Sequence, residues 1–259
     1  MNQASLSDQN ILVTGAAGRI GSATARHALA AGATVILTDI ASQPLQALAE
    51  SLQSDYGSNV CCHVADITTE AGIDSLISNA LEKHGRIDGA VHSAYPRSKA
   101  WGTRFEQLSA DSLHKDLSMQ LGSAILLSQR LMRCFQDTGH GSLIHLSSIQ
   151  GVQAPKFEHY EGTDMSSPIE YAAIKAGIIS ITRWLAKYYA NQNIRVNCVS
   201  PGGVIDNQPK DFLQRYRKSC TNIGMLSAEQ IAAVILFLLT PDAAAINGQN
   251  IIVDDGWTL

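Results

Sequence analysis

The stretch Ile11-Leu12-Val13-Thr14-Gly15-Ala16-Ala17-Gly18-Arg19-Ile20-Gly21 decides the fold. A β-branched apolar run passes without a break into three glycines, and the residues that follow, to position 31, carry apolar side chains at spacings of three and four. Strand, glycine turn and helix in direct succession let the chain reverse tightly and bring backbone N–H groups to a pyrophosphate at the positive end of a helix dipole. Asp39 ends the next β-branched run, 24 residues beyond Gly15. A carboxylate there can accept hydrogen bonds from a ribose 2′-hydroxyl and repel a 2′-phosphate, which favours NAD while leaving NADP open; it could equally cap a strand end. Arg19 could meet a 2′-phosphate, lie against the pyrophosphate or face solvent. Asp66 and Ile67 stand where a carboxylate could meet an adenine amino group and an aliphatic chain its ring.

Outward from this unit the same alternation repeats. Strands are expected at 10–14, 34–38, 60–64, 89–92, 142–147, 195–199 and 250–253, and helices near 19–31, 43–54, 70–83, 106–136, 168–191 and 227–239. Such a chain is read as one α/β domain over 1–259: a doubly wound, Rossmann-type seven-stranded parallel sheet flanked by helices, with its crevice at the carboxyl ends of the strands. Residues 151–168, rich in Pro, Gly, Ser and charge, lack period and are read as a substrate loop.

Composition narrows the field. With 19 Lys plus Arg against 23 Asp plus Glu, the net charge of −4 offers no basic excess to hold nucleic acid. Apolar residues at 45% can bury a large core. The polar start MNQASLSDQN lacks an export signal. The longest apolar run, 231–239, is too short to span a membrane. Five cysteines without a C-x-x-C pattern read as reduced core thiols of a cytoplasmic protein. The eight histidines show no H-x-x-H grouping, so no metal site is expected.

Chemistry is expected around Tyr171 and Lys175, four residues apart on one helix face. A neighbouring ammonium stabilises a phenolate and lowers its pKa, making tyrosine a proton donor and acceptor for an alcohol/carbonyl pair. Ser147 and Ser148 end a strand at the same edge, where a hydroxyl can hydrogen-bond a substrate oxygen as charge develops.

These pieces together resemble the short-chain dehydrogenase/reductase family over essentially the whole chain: TGAAGRIG at 14–21, Asp39, Asp66-Ile67, LSSIQG at 146–151, YAAIK at 171–175, IRVNCVSPGG at 194–203 and INGQNIIVDDGW at 246–257. The resemblance implies an NAD(P)-dependent oxidoreductase. In it Ser148 polarises the substrate oxygen, Tyr171 is the general acid/base and Lys175 lowers its pKa while holding the nicotinamide ribose. Gly15, Gly18, Arg19, Ile20 and Gly21 cradle the cofactor, Ser93 and Ala94 lie beside it, and Pro201, Gly202 and Val204 line the nicotinamide side.

The sequence departs from the family pattern in several places. Arg19 replaces the middle glycine of T-G-x-x-x-G-x-G, and His92-Ser93-Ala94-Tyr95 replaces N-N-A-G, so Tyr95 narrows the space beside the cofactor. Gln120 stands for the asparagine of the family's proton relay, and Asp206 for a threonine that meets the carboxamide. Ser148 and Tyr171 are 23 residues apart instead of 12 to 14.

The loop side chains Lys156, Glu158, His159, Tyr160, Glu161, Thr163 and Asp164 suit a polyhydroxylated ligand, and Arg97, Lys99 and Arg104 could meet a phosphate. AYPRSKAWG, APKFEHYEGTDM and SPGGVIDNQP resemble the branch encoded with bacterial flagellin-glycan and nonulosonic acid pathways, which implies a sugar, sugar phosphate or nucleotide sugar as substrate. Competing readings are a ketoreductase for acyl thioesters or apolar ketones, and a dinucleotide-binding sensor or subunit without chemistry. His145 reads as a satisfied interior residue, and Trp184, Tyr188 and Tyr189 as packing residues. The family likeness implies a homodimer or homotetramer built through helices 106–136 and 168–191, with Trp257 at a second contact.

Overall fold

The computed structural model describes residues 5–259; the first four residues of the polar start read above lie outside the described residues. Seven strands, β1 (Asn10–Thr14), β2 (Thr34–Asp39), β3 (Val60–Val64), β4 (Gly89–His92), β5 (Gly141–Leu146), β6 (Ile194–Pro201) and β7 (Asn250–Val253), form one parallel sheet in the order β3-β2-β1-β4-β5-β6-β7. Around it lie α1 (Arg19–Ala30), α2 (Ser42–Tyr56), α3 (Glu70–His84), α4 (Ala110–Leu117), α5 (Ser123–Thr138), α6 (Ile169–Tyr188), α7 (Lys210–Lys218) and α8 (Ala228–Leu239).

Successive strand residues face opposite sides, so one sheet feeds two cores. Val13, Val35, Val91, Ile144 and Val199 pack with Ala25, Ala28, Leu45 and Ile235 of α1, α2 and α8. Leu12, Ile36, Ala90, Leu143 and Val196 pack with Leu76, Leu131, Phe135 and Leu185 of α3, α5 and α6. Strand order reverses between β1 and β4, the place where a doubly wound sheet opens a crevice. There Thr14 and His92 are register partners, their side chains joined Oγ1 to Nδ1 at 2.9 Å.

Three expectations need correction. The single helix over 106–136 is two: Ser109 caps α4, and a π-helical turn at Ser118–Gly122 separates it from α5. Apolar spacing of three and four runs through such a turn without a gap, so periodicity could not reveal it. The 151–168 excursion contains a short 3₁₀ turn at Phe157–Tyr160. It packs against α7, which was not expected at all: KDFLQRYRK buries only Phe212 and Tyr216, too few for a period to show.

Candidate active site

The glycine turn is held by close approach. Gly15 has φ +65°, and a Cβ on it would lie 2.6 Å from the Ala94 Cα; one on Gly21 would lie 2.2 Å from the Gly15 carbonyl. Helix α1 starts at Gly18 with neither a side-chain cap nor an acid in its first turn, leaving its leading N–H groups for an anion. The residues present therefore fit a pyrophosphate. A cleft of about 350 Å³ opens beside this turn, lined by Gly15, Gly18, Asp39, Asp66, Ile67, Ser93, Ala94 and Tyr95, so most of the residues expected at a dinucleotide meet there.

Asp39 accepts from the amides of Ala17 at 3.1 Å and Ala41 at 3.0 Å, so it caps the glycine turn as well as lining the cleft. Asp66 accepts from the amide and hydroxyl of Thr68. Ser93 donates to the Thr14 carbonyl at 2.6 Å. Arg19 does not lie free: its guanidinium pairs with the Asp206 carboxylate, across the groove. Ile20, on the core side of α1, packs with the first core cluster and not into the cleft.

At the other end, the close contact of β5 with α6 sets the chemistry. Ser147 donates to the Lys175 carbonyl at 2.7 Å, and a Cβ on Gly151 would fall 2.6 Å from the Lys175 carbonyl carbon. This brings Ser148 to the Tyr171 phenol. Burial pushes that phenol up, and the Ser148 hydroxyl bonded to it draws it partly back. Lys175, also buried, donates to the Leu146 carbonyl at 3.0 Å, and burial lowers its pKa to about 8. Its ammonium stands 5.5 Å from the Tyr171 ring centre and 5.4 Å from that of Tyr95. Desolvation outweighs the lowering expected from Lys175, whose ammonium is directed at a backbone oxygen.

Gln120 sits buried in the π-helical turn, and neither its amide oxygen nor its nitrogen has a protein partner. Tyr95 and Trp101 meet Tyr171 edge to face at 5.6 and 6.1 Å.

A second cleft of about 250 Å³ begins at Ser148 and Tyr171 and is lined by Gln150, His159, Tyr160, Met165, Gly202, Val204, Gln208, Phe212, Tyr216, Met225 and Trp257. Gly202 and Val204 line this cleft, and Pro201 is buried at the end of β6. The polar loop side chains are otherwise than expected. Glu158, Glu161 and Asp164 face outward. His159 is buried and shares a hydrogen bond with Ser219 at 3.0 Å, and Lys156 covers the Trp257 ring at 4.7 Å. Short acidic side chains on a turn stay with water, while the aromatic members pack on α7.

Nor do Arg97, Lys99 and Arg104 converge. Arg97 covers Tyr95 at 5.4 Å, Lys99 is exposed and Arg104 borders a separate groove. His145 is only half satisfied, bonding Ser128 through Nε2 while Nδ1 has no partner. Trp184 and Tyr188 stack on each other at the surface, 4.6 Å apart, whereas Trp257 is buried within the chain's own aromatic cluster. Of the cysteines, Cys134 and Cys198 are buried and three are half-buried; all are unpaired. Among the described residues there is no cluster of three potential metal ligands, and no helix long and apolar enough to cross a membrane.

Reasoning from sequence missed Phe212, Tyr216 and Gln208. The Pro209 start and the Phe212/Tyr216 spacing of four were the available signals.

A family sequence model described as enoyl-(acyl carrier protein) reductase matches residues 15–258. Post-translational flagellin modification protein A of Campylobacter coli is 42% identical over 255 residues, covering 98% of this chain and 100% of that protein. The 7alpha-hydroxysteroid dehydrogenase of Bacteroides fragilis is 28% identical, covering 96% and 94%. Among solved structures, a short chain dehydrogenase from Leptospira borgpetersenii with bound NAD+ superposes with a TM-score of 0.86 at 31% identity, covering 98% of this chain and 94% of that one.

Proposed function

The chain belongs to the short-chain dehydrogenase/reductase family of oxidoreductases, and from that premise we propose that it is an NAD-dependent enzyme interconverting an alcohol and a carbonyl on a sugar, sugar phosphate or nucleotide sugar. One observation carries the reading. Tyr171 is a buried phenol, protonated at neutral pH, that lines the second cleft beside Ser148 with the Lys175 ammonium 5.5 Å from its ring centre.

A bound nicotinamide dinucleotide would supply the hydride donor or acceptor. The turn from Gly15 to Gly21, with the Ile20 amide in the first turn of α1, would hold its pyrophosphate. Asp39 would hold a ribose, Asp66 and Ile67 the adenine, and Ser93, Ala94, Pro201, Gly202 and Val204 the nicotinamide half. Ser148 orients the substrate oxygen and stabilises charge on it. Tyr171 gives that oxygen a proton in reduction and takes it back in oxidation, while Lys175 offsets charge on the phenolate. Gln120, with two unpaired polar atoms, can hold a water that returns protons toward Lys175.

Support for a sugar comes from the flagellin-modifying relative and from the cleft, where the half-buried Tyr160 offers an aromatic ring to C–H groups, and Gln150 and Gln208 offer hydrogen bonds. A second reading, an acyl thioester or apolar ketone, is favoured by Met165, Met225 and Phe212 in the same wall. Sugar phosphates, nucleotide sugars, steroids and acyl thioesters, screened by NADH absorbance, separate the two. Turnover of sugars alone supports the first reading, and turnover of acyl thioesters or steroids alone overturns it. Exposed Ile125, Trp184 and Tyr188 support a homodimer through α5 and α6, and the unpaired cysteines a reducing, cytoplasmic setting.

A further inference from the structure

Arg19 opens α1, and Asp206 lies 187 residues later in the segment between β6 and α7. This segment is anchored independently of their ion pair. Gly203 donates to the Tyr216 hydroxyl at 2.5 Å, Ile205 to the Leu226 carbonyl at 2.8 Å, Asp206 to the Gln208 side chain at 2.7 Å, and Gln208 back to the Val204 carbonyl at 2.8 Å. The Asp206 backbone is therefore held in place, with its carboxylate paired only to Arg19. With side chains about half exposed, 55% for Arg19 and 45% for Asp206, their pair adds little to the stability of the fold. Its position is more informative. One partner stands on the turn whose free N–H groups fit a pyrophosphate, and the other on the wall of the Tyr171 cleft through Gly202, Val204 and Gln208. The pair thus joins the phosphate-side turn to the segment that lines the Tyr171 cleft.

A carboxylate fixed there would repel two phosphates. We propose that Arg19 is a positioning residue that neutralises the Asp206 carboxylate beside the pyrophosphate, so that Arg19 and Asp206 act on dinucleotide binding as one unit. The inference rests on the dinucleotide reading above. It explains how Arg19 can stand where a glycine is usual: the side chain reaches outward to a partner supplied by the facing segment.

The test is a double-variant cycle read by binding, not turnover. NADH is titrated by fluorescence onto the wild type, Arg19→Gln, Asp206→Asn and the double variant, at low and high salt. Arg19→Gln should weaken NADH at least tenfold, because it bares the carboxylate. Asp206→Asn should change affinity less than threefold, and the double variant should return to within about threefold of the wild type. Salt should narrow the gap between Arg19→Gln and the rest. Adenosine, which has no phosphate, should bind all four alike.

A double variant as weak as Arg19→Gln alone would overturn the proposal by showing Arg19 acting without Asp206. Additive effects, or adenosine weakened in step with NADH, would do the same. A wild type that binds neither NADH nor NAD+ would instead remove the dinucleotide reading itself.

Discussion

The Lys175 ammonium faces two phenol rings, 5.5 Å from the centre of Tyr171 and 5.4 Å from that of Tyr95. Tyr95 takes the place of a glycine in the family pattern, and its ring screens from water the cation on which a Tyr171 phenolate would depend. Burial as a whole draws Lys175 down to about 8.

Carbonyl reduction needs Tyr171 protonated and Lys175 charged. kcat/KM for reduction should therefore fall as pH rises through about 8, where Lys175 loses its proton. Tyr95→Gly rehydrates the ammonium, favours its charged form and should move this limb up by at least half a pH unit. An unmoved limb would show that Tyr95 does not screen Lys175.

Gly151→Ala places a Cβ 2.6 Å from the Lys175 carbonyl carbon and 2.8 Å from the Ala176 nitrogen, both backbone atoms that cannot swing aside. Pushing α6 away from β5 should destabilise the protein by about 1–3 kcal/mol and separate Ser148 from Tyr171. kcat should drop more than tenfold while NADH affinity stays within threefold. Equal losses in both would mean that the glycine serves the fold alone.

Asp39→Ala removes the expected ribose partner and also the cap on Ala17 and Ala41. NAD binding should weaken and the NAD/NADP preference fall at least tenfold, read from the two dissociation constants. An unchanged ratio would leave Asp39 as a cap only.

Burial holds His145 neutral and lowers its pKa to about 4, with Lys175 adding to the effect. The unfolded chain takes up this proton near 6.5, so the contribution to stability is complete above that pH and is lost as pH falls toward 4. Between pH 7 and pH 5 the loss amounts to about 2 kcal/mol. Urea unfolding at the two pH values should show it, and His145→Gln should reduce the difference.

The sheet and the residues at its edge were legible because each rests on local spacing: three glycines after a strand, a carboxylate ending the next, a tyrosine and lysine one helical turn apart. Contacts between distant segments were not. Nothing near Arg19 points to Asp206, and nothing near Lys175 points to the Leu146 carbonyl that holds its ammonium. The loop composition of 151–168 gave its polarity but not its facing, so the acids expected in the cleft lie in water and aromatic residues of α7 take their place.

The central claim is that the Tyr171 phenol carries the proton between substrate and protein. Tyr171→Phe keeps the ring, its packing on Tyr95 and Trp101 and both clefts, and removes one oxygen. NADH-linked turnover of the accepted substrate should fall by at least a thousandfold, with NADH affinity within threefold of the wild type. Turnover retained within tenfold would contradict the account.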